Sequence, residues 1–257
     1  MKKMIKRILT LFLVFAMTSV SVSANTQASK SWYIKRNGND RPSFPDGAEG
    51  LSEFDCYYID DKSRERGEKR LYLTFDAGYE NGNVEKILDV LAEEKVPAAF
   101  FVLDNIILKN TDLVNRMADE GHLVCNHTKN HKNLSFATKE QISADLSALE
   151  EIYKEQTGRE MAKYFRFPEG KYSTDAIKII HELGYTTVFW SFCYDDWDNA
   201  RQMSEEKAKR KILSNTHDGA IILLHPTSRT NARILKDLIS EWRSAGYSFA
   251  SLDELGK

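Results

Sequence analysis

Seven short apolar runs alternate with amphipathic stretches of helical length from Leu71 to the end of the chain. This alternation narrows the possible folds more than any other feature. The runs are Leu71–Asp76, Ala98–Leu103, Leu123–Cys125, Tyr164–Phe167, Tyr185–Ser191, Ala220–Leu224 and Tyr247–Ala250. Between them Val84–Lys95, Thr111–Glu120, Lys139–Gln156, Ser173–Leu183, Ser204–Asn215 and Asn231–Ala245 read as helices. Ser173 and Ser204 stand as N-caps, and Gly121, Gly158, Gly184 and Gly246 stand as stops. Near-continuous apolar strands joined by helices indicate a parallel sheet buried on both faces, an α/β architecture. No composition break separates the units, so the spacing predicts one domain, and there is no repeat of solenoid period.

The amino terminus reads differently. Lys2, Lys3, Lys6 and Arg7 precede the apolar run Ile8–Met17, and small residues follow up to Ala24. This is the pattern of a secretory signal peptide, residues 1–24; the run is short for a bilayer span, and an uncleaved anchor is the alternative. Those residues hold four cations and no acid, so their removal takes the formal charge from −2 to −6. A mildly acidic chain is a poor nucleic-acid binder. Residues 25–67 are polar, with Pro42, Pro45 and several Gly, and read as a linker or an N-terminal cap that Trp32, Tyr33 and Phe44 could dock. Three cysteines, Cys56, Cys125 and Cys193, make no disulfide framework, and the last two read as buried thiols.

Chemistry-bearing residues recur where strands end. Asp76 closes the run Leu71–Asp76, where it could cap the next helix or face an active site. His127 and His131, four apart, would share one side of a helical turn and could bind one metal, or could be two surface histidines. Arg166 ends Tyr164–Phe167 and could orient a carboxylate or form a surface ion pair. Asp196 and Trp197 follow Tyr185–Ser191; Trp197 could floor a sugar site or belong to the core. His225 follows Ala220–Leu224 as a candidate general acid or a structural histidine. Each is weak alone. In a barrel the C-terminal strand ends converge on one mouth, and the set then fits metal-assisted hydrolysis of an amide or ester.

The order of these residues resembles the polysaccharide deacetylases of carbohydrate esterase family 4, the NodB homology domain. Five motifs carry the likeness across about Leu71 to Leu255: Thr74-Phe75-Asp76-Ala77-Gly78, His127-Thr128-Lys129-Asn130-His131, Arg166-Phe167-Pro168-Glu169-Gly170, Cys193-Tyr194-Asp195-Asp196-Trp197 and Ile222-Leu223-Leu224-His225. The resemblance implies a distorted (β/α)7 barrel over residues 68–257. It implies Asp76 as general base, His225 as general acid, Arg166 orienting Asp76 and Asp196 tuning His225. It implies a divalent metal (zinc, manganese or magnesium) on His127 and His131, and substrate contacts from Trp197, Pro168 and Gly170.

Four positions depart from the family pattern. Ala77 stands where a third metal ligand is usual, so any metal is expected to be weakly held. Glu169 replaces a Tyr, Cys193 replaces an Asp, and Ile222 replaces a Leu. Ala77 with the loop Tyr79-Glu80-Asn81-Gly82 resembles one branch, the delta-lactam-biosynthetic de-N-acetylases of spore cortex. The signal peptide implies secretion to the cell wall or cortex space, without a stable membrane span once it is cleaved, and a monomer is expected. The expected substrate of that branch is N-acetylmuramic acid in a peptidoglycan strand freed of stem peptide. The alternatives are a deacetylase of N-acetylglucosamine polymers and a catalytically silent glycan-binding module; retention of both Asp76 and His225 speaks against the latter.

Overall fold

The apolar runs assemble into one curled parallel sheet wrapped by helices. The structure, a computed structural model, describes residues 29–257; the predicted signal peptide, residues 1–24, lies outside them. In chain order the strands are β1 (Lys30–Ser31), β2 (Lys35–Asn37), β3 (Asp40–Ser43), β4 (Cys56–Tyr57), β5 (Arg70–Ala77), β6 (Ala98–Val102), β7 (Leu123–Asn126), β8 (Ala162–Phe165), β9 (Lys171–Tyr172), β10 (Thr186–Val188), β11 (Ala220–Leu224) and β12 (Ser248–Phe249). The helices are α1 (Asp61–Glu65), α2 (Val84–Glu94), α3 (Asp104–Lys109), α4 (Thr111–Asp119), α5 (Lys139–Thr157), α6 (Thr174–Glu182), α7 (Glu205–Leu213) and α8 (Arg229–Ser244).

The main sheet runs β11-β5-β6-β7-β8-β10-β4, every pair parallel, with β12 added on β5. Just past β10, the Ser191 N–H donates to the Ile221 carbonyl and the Leu223 N–H donates to the Phe192 carbonyl, each at 2.9 Å. These bonds join the β10 side of the sheet to β11, and the result is the distorted (β/α)7 barrel that the motif order implied.

Strand alternation sorts β5 into two layers. Leu71, Leu73, Phe75 and Ala77 belong to the large apolar layer shared with the helices. Tyr72 joins Ala99, Phe101, Cys125, Val188 and Ile221 in a separate interior cluster. Thr74 and Asp76 share the Tyr72 side by the same period of two, and they carry the polar chemistry up to the mouth.

Residues 30–60 are built into this domain. β4 extends the main sheet from β10, Thr187 opposite Cys56. β1 pairs antiparallel with β9. Trp32 is buried against Phe189, ring centroids 4.6 Å apart, and its indole N–H donates to the Trp190 carbonyl. Tyr33, grouped with it as a docking residue, stays exposed. Asp60 is buried; its backbone N–H donates to the Gly219 carbonyl at 2.8 Å, and its carboxylate accepts from Ser63 and from the Tyr72 hydroxyl.

Besides the short strands and helix of residues 30–65 and β9, the sequence reading differs from the fold at three places near the site. Residues 104–109 form α3, a helix that the apolar spacing does not predict. The Tyr185–Ser191 strand shortens to Thr186–Val188, because its end turns aside to meet β11. Residues 127–131 are a loop rather than a helical turn, with Thr128 at φ 68° and His131 at φ 63°.

Candidate active site

Asp76 sits at the mouth end of β5 with a side chain one-tenth exposed. Its Oδ1 accepts from Arg166 Nη1 at 2.8 Å. Arg166 is fully buried, and its other donors are taken up by the strand ends around it. Nε donates to the Val188 carbonyl at 2.9 Å, and Nη2 donates to Thr74 Oγ1 at 2.9 Å and to the Phe189 carbonyl at 3.2 Å. The guanidinium also lies over the Phe101 ring, 4.1 Å from its centroid. A buried fork held this way presents a fixed positive charge to one carboxylate oxygen. Burial alone would push the Asp76 carboxyl up, but His127 in its protonated form, Arg166 and His225, with the Arg166 hydrogen bond, outweigh it and hold Asp76 below the usual carboxylate range.

The loop after β7 brings the two histidines beside Asp76 by a route unlike a helix. The Thr128 N–H donates to Asn126 Oδ1, the Lys132 N–H to Thr128 Oγ1, and the Lys129 N–H to Asp145 Oδ1. A Thr in the left-handed region is unusual, and such backbone gathers at functional sites when the surroundings enforce it. The turn sets the His127 and His131 rings edge to face with centroids 5.1 Å apart. His127 Nδ1 lies 2.9 Å from the Arg166 carbonyl, which can only accept, so the ring's proton is on Nδ1. Nε2 then turns its lone pair toward Asp76 Oδ2 at 3.5 Å. Burial lowers the His127 pKa to about 4, so the ring is neutral at pH 7.

Across the mouth, His225 follows β11. Its Nδ1–H donates to Asp196 Oδ1 at 2.7 Å and its backbone N–H to Asp196 Oδ2 at 2.8 Å. Asp196 is 1% exposed, so the pair is shielded from water on the carboxylate side. Burial works against a charged imidazole here, but Asp196, by charge and hydrogen bond, and Asp76 raise the His225 pKa above its ordinary value.

These groups face a cleft of about 630 Å³. Asp76, His127, His131, His225 and Trp197 line it; Arg166 and Asp196 stand behind Asp76 and His225. Trp197 is 59% exposed, which settles its place at the rim and not in the core. Cys193 is half-buried and lines the cleft, unlike the buried thiol expected of it; Cys125 is fully buried. Pro168 and Gly170, expected to contact substrate, are instead buried and do not line the cleft. Gly170, at φ +63°, is pressed between Trp190 and Trp32, where a Cβ would come within 2.9 Å of both. Its role is packing, and the cleft face of that motif belongs to Glu169.

Three further residues of the site, Thr74, Tyr79 and Asn231, receive no role from sequence reasoning, although Thr74 stands in the first motif and Tyr79 in the loop that marks the branch. Thr74 donates to the Ile222 carbonyl while accepting from Arg166; its place two residues before Asp76 is the available signal. Tyr79 lines the cleft from outside the five motifs, and its hydroxyl accepts from Asn199 Nδ2. Asn231 donates to Asp196 from α8, with no local signal at all.

For a metal, His127 and His131 supply two imidazoles, the first with its tautomer fixed for coordination by a carbonyl behind it. Among the described residues no group of three or more His, Cys, Asp or Glu side chains could hold an ion. Ala77 is fully buried with Phe75 and Val102 and is absent from the cleft lining. The donor set therefore fits an ion held by two side chains with water completing its shell, not a three-ligand catalytic site.

Comparison with known proteins agrees with this fold. The family model described as polysaccharide deacetylase matches residues 63–188. The chain is 39% identical over 230 residues to the peptidoglycan-N-acetylmuramic acid deacetylase PdaA of Bacillus subtilis, covering 88% of this chain and 85% of that protein. The solved structure of Bacillus subtilis PdaA, a family 4 carbohydrate esterase, superposes with a TM-score of 0.83 at 36% identity, covering 88% of this chain and 96% of that one. A family 4 carbohydrate esterase from Bacillus anthracis superposes with a TM-score of 0.73 at 36% identity, covering 89% and 96%.

Proposed function

The chain belongs to the polysaccharide deacetylase family, hydrolases of N-acetyl amides on sugars, and on that premise we propose that it deacetylates N-acetylmuramic acid in peptidoglycan. The observation that carries the reading is the pair of opposed, separately tuned groups at one mouth: Asp76 biased toward its ionised form by Arg166, and His225 biased toward its protonated form by Asp196. A base and an acid pushed apart in pKa are what amide hydrolysis requires. The likeness to PdaA supports the muramyl substrate.

In this mechanism Asp76 takes a proton from the attacking water, and Arg166 keeps the carboxylate aimed. The acetyl carbon becomes tetrahedral, and the backbone N–H after Pro168 donates to its oxyanion. His225 then protonates the leaving amine from Nε2, since Nδ1 is committed to Asp196. His127 and His131 are the residues that would hold a divalent ion, which when bound supplies a Lewis acid for water and carbonyl. The products are acetate and a free amine on the sugar. The amine can close on the lactyl carboxyl of the same residue with loss of water, giving muramic δ-lactam as in spore cortex.

Secretion to the cell wall or cortex space is supported by the amino-terminal pattern Lys2–Ala24, and one chain holds every group named, consistent with a monomer. No helix among the described residues is long and apolar enough to cross a membrane. The test is mass spectrometry of peptidoglycan incubated with and without the protein. Muramyl fragments lacking one acetyl group, or the corresponding lactam, are expected only with the protein; loss of acetyl confined to glucosamine would overturn the muramyl assignment.

A further inference from the structure

Asp196 has a third partner that the proposed chemistry does not use. Asn231 is 1% exposed on the first turn of α8, where Ser228 Oγ caps its backbone N–H at 3.1 Å. Its Nδ2 donates to Asp196 Oδ2 at 2.6 Å and to the His225 carbonyl at 3.2 Å, so both amide protons are spent on the acid pair. Its Oδ1 accepts from the Tyr194 hydroxyl. The Asp196 carboxylate fixes which end of the amide faces it, since flipped, the amide oxygen would meet a buried carboxylate, acceptor against acceptor; the Tyr194 hydroxyl then donates to the amide oxygen and holds the carboxamide's rotation. Gln202 braces the same loop from outside, donating to the Asp196 and Asp198 carbonyls while its Oε1 accepts from Ser228.

We propose that Asn231 is a positioning residue of this site, its carboxamide, oriented by Tyr194, holding the Asp196 carboxylate in the one pose that grips His225 at both its ring and its backbone. This rests on His225 and Asp196 forming the acid pair. Without the Asn231 donor, Oδ2 keeps only the His225 backbone N–H, and the carboxylate can rotate away from the imidazole. The other charged groups facing His225 are Asp76 at the end of β5 and Arg166 after β8, and neither touches Asn231. The contact with Asp196 is what holds the imidazolium, so loosening it returns His225 toward ordinary behaviour.

The experiment is an NMR titration of the His225 ring, assigned with His225→Gln, in wild type, Asn231→Ala and Tyr194→Phe, beside acetate release. Asn231→Ala is expected to lower the His225 titration point by about one pH unit and kcat by about ten- to a hundred-fold, with KM little changed. Tyr194→Phe, which keeps the ring and loses only the orienting hydroxyl, is expected to shift both the same way by less, and it decides the matter if Asn231→Ala does not fold. His225 titrating at one pH in all folded proteins overturns the proposal. A wild type that releases no acetate while its His225 still shifts in the variants would instead count against the deacetylase reading alone.

Discussion

Asp76 and His225 share one cleft but are driven to opposite charge, and that division sets how the protein should respond to pH. Asp76 titrates below the usual carboxylate range and must be ionised to accept a proton; His225 titrates above the ordinary imidazole value of 6.5 and must be protonated to give one. Activity should therefore rise as pH climbs through the lowered Asp76 value and fall as pH passes the raised His225 value. A kcat/KM profile whose basic limb lies below the ordinary value of 6.5 would contradict the assignment. Asp76→Asn preserves shape and removes the acceptor, so acetate release should drop by about 10²–10⁴-fold; turnover near wild type, with the fold intact by circular dichroism, removes Asp76 from the chemistry. For the metal, two imidazoles without a third side chain imply weak binding. Calorimetric titration with zinc or manganese should give an affinity that a mild chelator defeats and that His127→Ala abolishes; tight binding surviving His127→Ala would place the ion elsewhere.

At the scale of elements, the positions of chemistry are more legible than the elements carrying them. An apolar run ending in a polar residue marks a strand end directly, so Asp76, Arg166, Asp196 and His225 can be read from their own neighbours. The His127–His131 spacing suggests a helical turn, yet two left-handed residues in a loop produce the same convergence. β4 is invisible in the sequence because a strand of two residues is too short to show any periodicity. The segment that follows it is fastened through Asp60 and Gly219, far apart in sequence. Gly219 lies at φ +76°, and a Cβ there would stand 2.1 Å from the Asp60 carbonyl oxygen. Gly219→Ala should thus part the Asp60 segment from β11 at a cost of about 1–3 kcal/mol, seen as a lower urea midpoint with unchanged slope. A midpoint equal to wild type would mean that this contact does not fasten the amino-terminal segment.

For the whole molecule, the alternation of buried strands with helices makes the barrel readable, and the barrel makes scattered residues one site. What stays hidden are contacts between side chains distant in sequence: Thr74 beneath Arg166, Asn231 beneath Asp196, and Trp32 packed behind Gly170. Such contacts are specified by the closed shape and not by any local pattern. The shape also bears on substrate. The rim residues Tyr79 and Trp197 are exposed beside a cleft of about 630 Å³, which offers apolar faces to sugar rings. Muramic acid carries a lactyl ether that glucosamine lacks, and a site built to pair with such a group can reject its absence by up to about 10⁴-fold. The most direct measurement is acetate release at equal sugar concentration from peptide-free muramyl glycan, from strands still bearing stem peptides, and from chitin oligomers. Release from the peptide-free glycan with little from the other two is the predicted result; chitin oligomers turned over as fast as the peptide-free glycan would contradict it.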